Sequence, residues 1–148
     1  MQDPKGLTPE DMAVLRPLFV SSGREYLATF LDALATVRTA EPTEETLGVL
    51  HRSIHSLKGA ALQLGVLHIG TLGKAVEAVA LAVRRKPGGL PAQGIDLLEE
   101  GARQLAEYLT HIENGEETTE PPGELLSQLQ GLADVLADDD SQRKAMGG

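Results

Sequence analysis

The chain has 148 residues, 41% hydrophobic and 24% charged, with no cysteine, no tryptophan and a formal charge of −9. That is enough for one domain with its own core and too apolar for wholesale disorder. It also leaves no thiolate for a disulfide scaffold, a cysteine metal site or a cysteine nucleophile. The acidic balance argues against nucleic-acid binding, and no apolar run approaches the roughly 18–20 residues that cross a bilayer. Aromatics at 3% leave the core to Leu, Val, Ile and Ala, which favours helix packing over a β-sandwich. The amino-terminal MQDPKGLTPED lacks the charged-then-apolar pattern of a secretory signal, so the expectation is a soluble, cytoplasmic, single-domain helical protein.

Residues 1–7 read as a flexible amino terminus. The first helix opens at Thr8-Pro9-Glu10-Asp11, where a hydroxyl cap, a proline at the first helical position and two acids are all start signals. Its apolar positions are Val14, Leu18, Leu27, Phe30, Leu31, Leu34 and Val37. Pro17 and Ser21-Ser22-Gly23 interrupt it, which predicts a kinked helix, or a short helix followed by a longer one from about Arg24.

The second element has Thr43 as cap and an acidic first turn, then Leu47, Leu50, Ile54, Leu57, Ala61 and Leu64 on one helix face, with Gly65 as stop. The third carries Leu72, Val76, Val79 and Val83 and ends in Arg84-Arg85-Lys86, cations suited to a helix C-terminus, before Pro87-Gly88-Gly89. The fourth carries Ile95, Leu98, Ala102, Leu105, Leu109 and Ile112. After a polar linker from Glu113 to Pro122, the fifth carries Leu125, Leu129, Leu132 and Leu136. Asp138-Asp139-Asp140 and the remainder to Gly148 read as a disordered, solvating acidic tail. The expected fold is all-α: an antiparallel up-down four-helix bundle with an additional C-terminal fifth helix, over residues 8–137.

The chemistry concentrates in Ile54-His55-Ser56-Leu57-Lys58-Gly59-Ala60-Ala61. Ile54 and Leu57 belong to the buried stripe, while His55 with Lys58 and Gly59, three and four residues on, form one neighbouring patch. A glycine inside a helix costs about 1 kcal/mol relative to alanine, and close approach of another molecule beside His55 would offset it. A neutral imidazole offers a nucleophilic nitrogen near neutral pH, a lysine screens phosphate charge, and a missing side chain makes room for a phosphoryl group and its donor.

A carboxylate on the other ring nitrogen would fix the tautomer, as in hydrolase triads. If the chain reverses near Gly65-Val66, residues pair when their numbers sum to about 132, so His55 faces Glu77 and Lys58 lies level with Lys74, at 1.5 Å rise per residue. Residues 51–86 hold six cations and one acid, Glu77, for a net +5 against −14 on the rest of the chain. Such a basic hairpin suits an anionic group and an acidic partner.

The run His55-Ser56-Leu57-Lys58-Gly59-Ala60-Ala61, with Gly65 ten residues after the histidine, resembles the signature of histidine-containing phosphotransfer (HPt) domains. It is most similar to the N-terminal phosphotransfer domain of CheA-type chemotaxis histidine kinases, over roughly Leu18 to Leu136. The resemblance implies that His55 is phosphorylated on Nε2 by a histidine kinase catalytic domain and passes the group to a response-regulator receiver aspartate. It places the family's lysine, glycine and orienting glutamate on Lys58, Gly59 and Glu77. The chain departs from chemotaxis kinases at Lys74, where they often carry a second histidine. No Gly-rich phosphate loop is present, so ATP and Mg²⁺ are expected on partner domains, and the isolated domain is expected to be a monomer.

Other readings are weaker. A non-catalytic helical adaptor could use the same surface for docking alone, Gly59 could serve close helix packing, and Glu77 could be a plain surface acid. His51 and His55, four apart, could form half a zinc site, but Arg52 stands where a metalloprotease motif has glutamate. His51 as phosphoacceptor lacks a following Lys-Gly. His111 reads as packing or capping.

Overall fold

The structure, a computed structural model, describes residues 6–88 and 90–147, with side chains as far as Ala137. Five helices follow in order: α1 (Pro9–Thr39), α2 (Glu44–Gln63), α3 (Leu67–Arg85), α4 (Ala92–Glu113) and α5 (Gly123–Gly147). There is no strand among the described residues.

Local chemistry sets the helix ends. Thr8 accepts the Asp11 amide at 3.1 Å while the Asp11 carboxylate accepts the Thr8 amide at 3.0 Å, a reciprocal capping box. Thr43 caps α2 by accepting the Thr46 amide. At the other end of α2, Gly65 takes φ 73°, and two backbone bonds close the turn, Gly65 N–H to Leu62 C=O and Val66 N–H to Ala61 C=O. This is a Schellman closure, which a side chain at Gly65 would strain.

Around the bundle, α1 contacts α2 and α4, and α3 contacts α2 and α4, closing a ring of four. The long-range ion pairs fix the directions. Arg24 reaches Glu113 and Arg38 reaches Asp96 and Glu99, so α1 and α4 are antiparallel. Arg84 reaches Glu44, so α2 and α3 are antiparallel as well. Phe30, Leu34, Leu47, Leu50, Leu57, Leu72, Val76, Val79, Leu98 and Leu105 fill the centre and are wholly buried. Helix α5 lies against α3 and α4 through Leu125, Leu129 and Leu136. Gly101 lets this layer close, because a Cβ there would sit 2.9 Å from Val76 Cγ2 and 4.0 Å from Leu129 Cδ1.

Helix α1 differs from expectation in two ways. It is one helix through Pro17 and Ser21-Ser22-Gly23, so the two-helix alternative falls. Gly23 is a contact point and not a break: a Cβ there would lie 3.0 Å from both Leu109 methyl carbons and 3.3 Å from Leu57 Cδ1. The stripe is also misplaced in the first half of α1. Val14 and Leu18 are exposed, as is Leu31, while Met12, Phe19 and Val20 are buried.

Helix α5 carries the backbone on to Gly147, beyond residue 137 where the sequence pattern ends the domain. Gln142, Arg143, Lys144, Ala145 and Met146 are good helix formers, which a reading by charge alone passed over. The side chains of 138–148 lie outside the described residues, as do residues 1–5 of the expected flexible amino terminus.

Candidate functional site

The apolar stripe of α2 buries Ile54 and Leu57 and so turns the His55 face toward solvent, alongside α3. His55 has 60% of its side chain exposed, and its Nδ1 is hydrogen-bonded to Glu77 Oε2 on α3. An ionised carboxylate only accepts, so Nδ1 carries the proton and the neutral ring keeps its lone pair on Nε2.

Lys58 Nζ donates to the other oxygen, Glu77 Oε1, at 2.6 Å. The side chains of Lys58 and Glu77 are only 21% and 13% exposed, so this pair is partly withdrawn from water. Burial pushes the Glu77 carboxyl up, but the hydrogen bonds from Lys58 and His55 outweigh it and hold its pKa below the ordinary glutamate value.

Three of the four sequence-nominated residues, His55, Lys58 and Glu77, thus meet through one carboxylate. The fourth, Gly59, faces open space: a Cβ built there meets nothing within 4 Å, so it does not serve helix packing. Lys58 lies within one residue of the level the pairing rule gives, but its side chain does not meet Lys74 there. It stands over Gly73, whose Cβ would lie 3.3 Å from Lys58 Cβ, and Lys74 is exposed. The glycine brings α2 and α3 together at the site and leaves room for the lysine stem to bend toward Glu77.

Sequence reasoning missed a second layer. His51, one turn before His55, directs Nε2 at Glu77 Oε2 from 3.4 Å, and its ring centroid is 5.9 Å from that of His55. Arg84 on α3 donates from Nη1 to His51 Nδ1 at 3.3 Å and is itself held by Glu44 at 2.9 Å. Burial lowers the His51 pKa; Arg84 and His55 add to the shift and Glu77 opposes it. The sequence did hold a signal, since positions 51 and 55 share a helix face opposite Glu77, the only acid of residues 51–86.

The His51, His55 and Glu77 donor atoms all lie within 4.8 Å of one another, a spacing that can hold a metal ion. The surrounding charges oppose one, because Lys58 occupies the second Glu77 oxygen and Arg84 leaves the His51 proton on the nitrogen that faces the cluster.

The site is thus a solvent-facing imidazole on a ring of four helices, tied at Nδ1 to a carboxylate of the neighbouring helix. The Hpt domain family matches residues 14–115, α1 through the end of α4, and the chain belongs to that family. Its role is phosphotransfer in phosphorelay signalling. Comparison with curated proteins finds no match. Helix α5 lies outside the matched span. No helix among the described residues is long and apolar enough to cross a membrane.

Proposed function

We propose that His55 is the phosphoacceptor, loaded by a histidine kinase catalytic domain and unloaded by the aspartate of a response-regulator receiver. The single observation that supports this reading most is the exposed His55 ring with Nδ1 bound to Glu77. In loading, the Nε2 lone pair attacks the terminal phosphorus of the kinase's ATP; the Nε2–P bond forms as the P–O bond to ADP breaks. The ring gains positive charge, which Glu77 offsets through the Nδ1 proton it already accepts. In unloading, a receiver carboxylate oxygen attacks phosphorus and the Nε2–P bond breaks, returning the neutral ring.

Gly59 leaves the flank of His55 open for this approach, and exposed Leu62, one turn from Lys58, adds an apolar contact. The basic hairpin complements an acidic receiver pocket. Mg²⁺ and ATP belong to the partners in this reading, since both Glu77 oxygens are already engaged. The chemotaxis-kinase setting rests on the sequence resemblance and on α5.

Incubation with a histidine kinase catalytic domain and labelled ATP tests the acceptor. Acid-labile, base-stable label on the wild type and none on His55→Gln is the expected result. Equal labelling of the two proteins would remove His55 from the reaction.

A further inference from the structure

We infer that His51, set by Arg84, is a positioning residue for the phosphoacceptor: its Nε2–H makes a long polar contact with the Glu77 carboxylate and holds the orientation in which Glu77 meets His55. The inference rests on His55 being the acceptor and concerns how its partner is kept in place.

The hydrogen inventory leaves one arrangement. An arginine cannot accept, so the 3.3 Å contact from Arg84 Nη1 makes His51 Nδ1 the acceptor and puts the proton of the neutral ring on Nε2. That nitrogen faces Glu77 Oε2 at 3.4 Å, a long contact on the same oxygen that His55 uses. With Lys58 on Oε1, the carboxylate has a donor on each oxygen and a further one arriving from the preceding turn of α2.

Donors on both oxygens set the plane of the carboxylate, but Lys58 and His55 are themselves side chains that can shift together. A third contact, offset by one helical turn and held by Arg84, limits that shift. His51 is only 18% exposed, so water competes weakly for the contact.

Arg84 in turn is fixed by Glu44 in the first turn of α2, through Nε at 3.0 Å and Nη2 at 2.9 Å. The result is a ladder that crosses between α2 and α3: Glu44, Arg84, His51, Glu77, His55. The lowered His51 pKa agrees with a ring that stays neutral at physiological pH, as the tautomer argument requires. Arg84 and Glu77 on α3 and His55 on α2 act on His51, the arginine and the histidine lowering its pKa and the carboxylate raising it.

The test uses phosphoramidate, a small donor that needs no partner: Nε2–P forms as P–N breaks and ammonia leaves. Phosphorylation is followed at the His55 ring by proton–nitrogen NMR, which also reports each ring's tautomer. His51→Leu should slow His55 phosphorylation about three- to tenfold, the scale of one lost hydrogen bond, and reduce the Nδ1–H form of His55. His51→Gln, whose amide can still donate, should recover most of the rate. Arg84→Met should move the His51 proton off Nε2 and slow the reaction similarly. A wild-type rate in His51→Leu overturns the inference, as does a His51→Gln variant no faster than His51→Leu. If His51→Leu does not fold, an Arg84→Met protein with an unchanged His51 tautomer and unchanged rate overturns it equally. Failure of the acceptor assignment looks different, because phosphorylation at residue 55 would then be absent in the wild type.

Discussion

Lys58 Nζ donates to Glu77 Oε1 at 2.6 Å, the oxygen opposite the one that His55 uses. The lysine therefore meets the carboxylate before it meets any phosphate, and its first task is to hold Glu77 ionised and in place. Lys58→Met should raise the Glu77 pKa, read from its carboxyl carbon shift in a pH titration. It should also slow phosphorylation of His55 about tenfold, as expected for losing a charged hydrogen bond. A Glu77 titration that does not move would show that the pair carries no such function.

Stability should depend on pH through two separate groups of this cluster. Glu77 has a folded pKa below its unfolded value, so its contribution is complete above about pH 4.5 and is lost as pH falls through the lowered folded value. His51 is also lowered, but it is a base. Below about pH 6.5 the unfolded chain binds a proton that the folded ring resists, so stability falls with pH from there down to the folded value. Chemical denaturation at a series of pH values should show both slopes. Glu77→Gln should remove the more acidic one and His51→Gln the milder one.

Gly59→Ala should separate stability from function. Nothing lies within 4 Å of the added carbon, so the substitution gains helix propensity and should stabilise by about 0.5–1 kcal/mol in urea unfolding. Transfer from phosphorylated His55 to a receiver should slow, because the methyl group stands where the partner approaches. A Gly59→Ala protein that is more stable and transfers at full rate would mean that the open flank is not used.

At Gly23 the outcome reverses. A side chain there would press on Leu109 and Leu57, with Cβ alone 3.0 Å from the Leu109 methyl carbons. Gly23→Val should cost about 1–3 kcal/mol, the range for overpacking a core, visible as a lower melting temperature.

The site was legible because both partners sit on regular helices joined by a short turn. The sum rule needs only the rise per residue and the position of Gly65, and it placed Glu77 beside His55. It says nothing of where a long side chain ends: Lys58 stands beside Gly73, near its expected level, and bends to the same carboxylate. His51 and Arg84 escaped for a similar reason: long side chains reach across a turn, and a rule built on Cα levels does not see them.

In α1 the difficulty was of another kind. Met12, Val14, Leu15, Leu18, Phe19 and Val20 offer two apolar faces, and only the tertiary structure decides that Met12 and Phe19 turn inward while Val14 and Leu18 do not. Gly23 was read as an interruption because a glycine that ends a helix and one that admits a neighbour look alike in one dimension.

The tight closure at Gly65 has a consequence for how this hairpin can vary. One residue inserted inside α3, between Leu67 and Val76, would rotate the part of the helix beyond it by about 100° and slide it by about 1.5 Å. Val76, now facing the interior, would exchange sides with its neighbours, and Glu77 would swing away from the ring it serves. The helical spacing from the bend to Glu77 is thus a gauge for the reaction: insertions and deletions within it should silence phosphate acceptance even in variants that still fold.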